Sequence, residues 1–361
     1  MKYYKIEPVD SLFFRDGSPY NMDETQNDVK SIFPPTPYTM AGALRASIAR
    51  DMGWVSGDWT EDIKDKLGDG KNLGKLNFFG PYILKDDEPI FMVPRTLMGK
   101  KSDDGSHWEL IRKMIPGEPI TRSDMGENIR YPSLTGNEVD MKNITGFISG
   151  KDLLKILWAD DLDGIEIISD DDVYQFEFNV GIKRDDDLRV DDGGLFSRRF
   201  VRLNEGNRDE SGKKDAISIL AGIDGIDSEV SGHVMLGGES KAAFVDGIDP
   251  IKLPEPDDDT GLLKEFVVLL ITPARIPDLS PGGNIEGLPG DCELVSVCAD
   301  RPQMIGGWDH NKGPQPLRAH LKPGSILFMR SREGIDPKQK NGIKIGKDTE
   351  FGFGQIIIGK W

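Results

Sequence analysis

Four side chains carry imidazole, the usual proton carrier near neutral pH: His107, His233, His310 and His320. None stands at the spacing of a metal-binding pair such as H-x-H, H-E-x-x-H or H-x-x-x-H, so zinc chemistry is not expected. Aspartates run together at Asp103-Asp104, Asp160-Asp161, Asp170-Asp171-Asp172, Asp185-Asp186-Asp187 and Asp257-Asp258-Asp259. Adjacent carboxylates can hold the metals of a nuclease. Here they lie in hydrophilic, often Gly-rich stretches, where a solvated turn is the simpler account. Neither a G-x-S-x-G elbow nor a G-x-x-x-x-G-K-[ST] phosphate loop occurs. The reactive residues therefore point to no catalysis, and no cofactor or metal is expected.

What remains is the chemistry of holding an anion. Glycine clusters stand at Gly237-Gly238, Gly306-Gly307 and Phe351-Gly352-Phe353-Gly354. Each is either a tight turn between strands or a set of amide hydrogens that can cradle phosphate oxygens without side-chain charge. Cations free of neighbouring acids occur at Arg45 and Arg50 in residues 31–50, and at Arg198, Arg199 and Arg202 in residues 193–204. Residues 338–347 add Lys338, Lys340, Lys344 and Lys347. Against this stands a net charge of −17, which opposes binding to a polyanion. Two readings stay open: an acidic protein with ordinary mixed surfaces, or an acidic shell around a few basic ones.

The elements that must position these groups can be read from periodicity. Residues 3–9 form a strand, followed by a turn at Phe13 to Gly17. Thr36 caps a helix over about 37–52 with Pro37 as its first residue and Met40, Leu44 and Ile48 on one face. Ser106 with Glu109 predicts a helix through Leu110, Ile111, Met114 and Ile115, and Ser149 with Asp152 another through Leu153, Ile156 and Leu157. Beyond Asp163 strands take over: 172–183 pairing with 195–203, then 230–236, 241–246, 264–272, 291–299, 325–330 and Ile356 to Ile358. With 361 residues there is room for two domains, with a boundary near 160–170 and an α+β class. The longest apolar run, Phe266 to Ile271, is too short to span a bilayer. MKYYKIEPVD lacks the apolar core of a signal peptide, and Cys292 and Cys298 read as free thiols, so the expected location is the cytoplasm.

The order of several segments carries further weight: SLFFRDGSPY, FPPTPYTMAGALRASI, VGIKRDDDLRVDDGGLFSRRFVRL, GGESKAAF, IGGWD and GFGQIIIGKW. Together they resemble the RAMP superfamily of CRISPR effector proteins, and within it the third Cmr subunit of the type III-B complex, from residue 4 to residue 361. The resemblance implies two ferredoxin-like (RRM-like) domains with insertions, 1–165 and 166–361, and a thumb hairpin over about 178–203. It also implies a C-terminal Gly-rich loop beside RNA. The implied role is non-catalytic. The chain would hold the 5′ tag of the CRISPR RNA, together with the large polymerase-like Cmr subunit, and abut the first Cmr backbone subunit, with no membrane. Carried onto this chain, the RNA-binding candidates are Thr39, Arg45, Lys183, Arg184, Arg198, Arg199, Arg202, Gly306, Gly307, Gly352, Phe353 and Gly354. Alternatives stand beside them. Arg45 meets a phosphate or an acidic side chain; Phe353 and Trp308 stack a base or pack inward. The acidic thumb tip meets a basic neighbouring subunit, or sets Leu188 or Val190 against a displaced base. Two other functions remain open, a RAMP endoribonuclease that cuts precursor CRISPR RNA and a protein-only adaptor.

Overall fold

A computed structural model describes residues 1–17, 28–70, 72–102, 107–120, 130–134, 136, 138–159, 161–184, 187, 189–204, 216–227, 229–256, 260–309 and 313–361. Ser106, Asp103, Asp104, Asp160, Asp185, Asp186, Leu188, Asp257 to Asp259, His310 and Lys312 lie outside the described residues, as do the side chains of Lys183, Val190 and Trp308. The class is α+β, strand-rich with few helices. Two compact units are each assembled from three stretches: 1–87, 170–250 and 304–318 in one, 88–169, 251–303 and 319–361 in the other. The two units thus interleave along the chain, with one crossing between Ser169 and Asp170. Sheet pairing between distant stretches is the cause, because strand neighbours need not be sequence neighbours.

In the first unit, five strands lie side by side in the order Gly232–Met235, Ala242–Ile248, Lys2–Pro8, Ile217–Asp224 and Asn77–Lys85, each antiparallel to the next. Period-2 alternation puts Tyr4, Ile6, Ile219, Ala221, Ile223, Ala243 and Val245 on one buried face. The helix Pro37–Asp51 lies against Asn77–Lys85 and Gly232–Met235. Thr36 Oγ1 accepts from the Thr39 amide at 3.2 Å, and Met40, Leu44 and Ile48 are buried as their spacing predicted. Ala41 and Ala49, both fully buried, let the helix sit close. A separate three-stranded sheet joins Tyr174–Arg184 to Val190–Leu203, with Asp28–Val29 added in parallel on the far side.

In the second unit, Cys292–Cys298, Ile326–Ile335, Leu263–Leu270 and Ile356–Lys360 form an antiparallel sheet in that order. Phe266, Val268, Leu270, Leu294, Leu327, Met329, Ile356 and Ile358 fill its core. The helix Gly150–Trp158 starts where expected, with Ser149 Oγ accepting from the Asp152 amide at 3.1 Å, and packs on Ile356–Lys360. The helix expected after Ser106 is instead the strand Trp108–Pro116, paired with Leu97–Lys101 on one side and Pro132–Leu134 on the other. The apolar spacing from Leu110 to Ile115 suits either form, and all of these residues are half-buried. Two partner strands satisfy the backbone, and Gly99 leaves room for the Trp108 ring to cross its neighbour. No described helix is long and apolar enough to cross a membrane.

Cys292 and Cys298 are free and buried. Burial pushes the Cys292 thiol up to about 11, with Asp291 adding to it, and Cys298 up to about 12. Almost no thiolate exists at pH 8, and the thiolate is the nucleophile. Alkylation by a disulfide reagent at pH 8 is therefore expected to run at least ~100-fold slower in the folded chain than in urea; equal rates would contradict this packing.

Candidate nucleic-acid interface

The Phe351 to Gly354 turn is internal. Gly352 and Gly354 take φ of +106° and +74°, which L side chains rarely adopt. The Gly352 amide donates to the Thr349 carbonyl at 3.0 Å and the Gly354 amide to the Pro273 carbonyl at 2.8 Å. Thr272 Oγ1 donates to the Gly352 carbonyl at 2.8 Å and accepts from the Gln355 amide at 2.9 Å. Phe353 is fully buried, its ring 4.9 Å from that of His320, itself buried. The aromatic residue thus packs inward, one of the two alternatives its position left open. A Cβ on Gly354 would lie 1.9 Å from the Ile345 carbonyl oxygen, so what approaches this glycine is the chain's own backbone. These three residues offer neither the two glycine amides nor the ring to an outside ligand.

Arg45 is also turned inward, at 8% exposure. Its Nε donates to the Leu67 carbonyl at 3.0 Å and Nη1 to the Gly70 carbonyl at 3.2 Å, while the guanidinium lies 5.0 Å from the Trp59 ring. Burial lowers its pKa to about 10, with Asp69 pulling the other way, and it stays charged at neutral pH. Its small neighbours one turn away on either side, Ala41 and Ala49, do not leave the guanidinium open, because both are themselves fully buried. The end of the helix Glu61–Leu67 and the residues that follow it to Gly70 lie over the side chain and take its hydrogen bonds.

The arginines of the strand Val190–Leu203 have partners too. Arg202 pairs with Glu177 and, at 2.8 Å, with Asp10. Arg198 pairs with Glu239 and lies 4.6 Å from the Phe196 ring. Arg199 sits over the rings of Phe176 and Phe178, at 5.4 and 4.9 Å. Arg184 is exposed; of Lys183, only the backbone, in the strand Tyr174–Arg184, is described. The Arg202 cluster is about half open to solvent, so Arg202→Ala is expected to change unfolding free energy by less than ~1 kcal/mol in urea titration. A larger loss would mean that the pairing is worth more than exposed pairs usually are.

Gly306 and Gly307 differ from the other glycines. They follow the strand Gln303–Ile305 and are half-buried. The Gly307 carbonyl accepts from the Gln315 amide at 2.8 Å, while neither glycine's own amide has a partner among the described residues. A Cβ on Gly307 would meet nothing closer than Gln315 Cγ at 3.9 Å and Tyr38 Cδ2 at 4.0 Å. Tyr38 and Thr39 belong to the first turn of the helix Pro37–Asp51, the positive end of its dipole. The Thr39 amide is already capped, so the open donors here are the two glycine amides. The sequence reading named the glycines and Thr39 but not Tyr38, which stands in the same P-Y-T-M run; only tertiary contact brings the two stretches together.

The sequence profile of CRISPR-associated protein (Cas_Cmr3) matches residues 4–361. A chain in the cryo-EM structure of the type III-B Cmr-beta complex bound to cognate target RNA and AMPPnP superposes with a TM-score of 0.50 at 17% identity, covering 90% of this chain and 86% of that one. A chain of the same complex bound to cognate target RNA does so at 0.50 and 16% identity, with the same coverage. These two are alike in fold. No curated protein matches this chain.

Proposed function

The chain belongs to the CRISPR-associated Cas_Cmr3 family, and from that premise we propose that it is a non-catalytic subunit of a type III-B effector ribonucleoprotein. In this reading it holds the 5′ tag of the CRISPR RNA and links the large polymerase-like subunit to the first backbone subunit. The observation that carries the proposal is the family match over nearly the whole chain. The two units are read as two ferredoxin-like domains, each a mainly antiparallel sheet with a helix against it. Among the inherited candidates, Gly306 and Gly307 keep a geometry suited to phosphate, while Thr39, in the first turn of the helix Pro37–Asp51, is bonded to Thr36 through both its amide and its hydroxyl. Two open amides lie beside a helix start, and Tyr38 stands close enough to flank a nucleotide. Such donors suit a protein of net charge −17 because they need no cationic patch.

The experiment is crosslinking of guide RNA in the purified effector assembly, with Gly307→Asp as the perturbation. Crosslinks are expected at peptides containing Tyr38 and Gly306 to Gly307. The added carboxylate should lower guide retention at least ~10-fold, as a buried like charge does, while a side chain at Gly307 meets only ordinary contacts. Crosslinks confined to other surfaces, with retention unchanged, would favour a protein-only adaptor. Metal-independent scission of repeat RNA by the lone chain would favour a processing endoribonuclease. The isolated chain is expected to bind tag-bearing RNA weakly and with a steep salt dependence. Tight binding with a shallow salt slope would count against it.

A further inference from the structure

The strands Lys2–Pro8, Ala242–Ile248 and Gly232–Met235 form the outer part of the first unit's five-stranded array, and Gly232–Met235 ends it. Their register sets side chains in rows across the strands. Glu7 stands opposite Phe244, and Phe244 opposite His233. In the next row Ala242 stands opposite Met235, and the Val9 amide donates to the Ala242 carbonyl at 3.1 Å. Alternation turns these residues away from the buried face that holds Tyr4, Ile6, Ala243 and Val245. Val9, Phe244 and Met235 are 55%, 44% and 43% exposed, and His233 is exposed beside them. The His233 ring packs 4.2 Å from that of Phe244. Tyr3 and Leu220 continue the same face and are buried, so the open area has an inner border. Single exposed apolar residues are ordinary, but a group of them on neighbouring strands marks an interaction site. The terminal strand reads GHVM, without the lysine or proline that commonly guards a sheet edge.

Charge identifies the occupant. Among the described residues, the carboxylates of Glu7, Asp87 and Asp246 border these rows against one ammonium, Lys5. Lys5 stands opposite Asp246 and bonds Glu7 at 3.3 Å and Asp87 at 2.7 Å. At the Val9 end, Asp10 is already paired with Arg202 at 2.8 Å and with Lys241 at 3.7 Å. The unbalanced part of the border is therefore negative. A nucleobase finds a flat ring in Phe244, but its phosphates would lie beside Glu7 and Asp246. A second copy of this chain brings a net charge of −17 to the same border. A basic polypeptide meets both features, because its cations face the carboxylates and can also lie on the Phe244 ring. We propose that the patch formed by Val9, Met235 and Phe244 docks an apolar segment, flanked by lysine or arginine, of a neighbouring protein subunit. This rests on the reading of the chain as a subunit of an effector assembly.

The test uses the full chain co-expressed with the remaining effector subunits and guide RNA, and measures recovery of each subunit on a tag carried by this chain. In Met235→Thr with Phe244→Thr, recovery of one protein subunit is expected to fall at least ~10-fold. Threonine suits a strand and both positions are partly exposed, so the melting temperature of the isolated variant should stay within about 3 °C of the parent. Asp246→Lys changes an exposed position and leaves the apolar rows intact. It is expected to weaken the same recovery about tenfold at low salt and less at high salt, and it decides alone if the double variant melts lower. Unchanged recovery in a folded double variant overturns the proposal, as does unchanged recovery in Asp246→Lys at low salt. Loss of guide RNA with every protein subunit retained assigns the patch to RNA and overturns it too. So does a patch-dependent dimer of the isolated chain in sedimentation. If the parent recovers no effector subunit, the effector reading itself fails; if it recovers them and the variants match it, only the docking patch fails.

Discussion

Gly354→Ala is expected to cost about 3 kcal/mol or more of folding stability. It should lower the melting temperature by roughly 6–12 °C, if the affected unit melts on its own. The methyl would stand 1.9 Å from the Ile345 carbonyl oxygen at a backbone φ of +74°. Neither wall can retreat cheaply. The Ile345 amide donates to the Gly354 carbonyl at 2.8 Å, and the Gly354 amide is held by the Pro273 carbonyl at the same distance. The strand Ile356–Lys360 begins two residues later, so its register depends on this turn. The discriminating readout is guide-RNA retention per folded molecule. Because the turn is internal, retention should track the folded fraction. A variant that melts like the parent but no longer retains RNA would place the ligand at this turn after all.

Arg45→Ala is the second large effect, about 2–4 kcal/mol, because it strips two carbonyls, of Leu67 and Gly70, of their donor in a buried setting. The lost contact of the guanidinium with the Trp59 ring adds to it. Arg45→Lys keeps the charge but cannot serve both carbonyls with a planar fork, and should fall between the two. Urea unfolding measures the cost. A stable Arg45→Ala chain with impaired RNA binding would reverse the assignment, making the side chain a phosphate ligand instead of a clamp on the segment that follows the helix Glu61–Leu67.

Local features were legible where a local cause acts. The caps at Thr36 and Ser149 are short-range hydrogen bonds, and both helices begin where those residues stand. Most strands fall within a few residues of their apolar runs. The run from Leu110 to Ile115 was misread because its pattern fits a helix face and a half-buried strand alike, and the decision lies with the strands on either side. The site was less legible. Arginines that look available in a sequence free of acids find acids far along the chain, Arg198 at Glu239 and Arg202 at Asp10.

The sequence by itself determined the periodicities, the caps, the glycine positions and the order of motifs that marks the family. Those depend on residue type and on neighbours a few positions away. Tertiary structure alone decided which glycines keep their amides open and which donate them inward, and which acids the arginines meet. It also decided that the alternating row from Phe176 to Ile182 faces outward. The physical reason is that hydrogen-bond satisfaction and burial belong to pairs of groups brought together from distant stretches. A residue's type fixes what it can donate or accept, but only the packed chain fixes to whom.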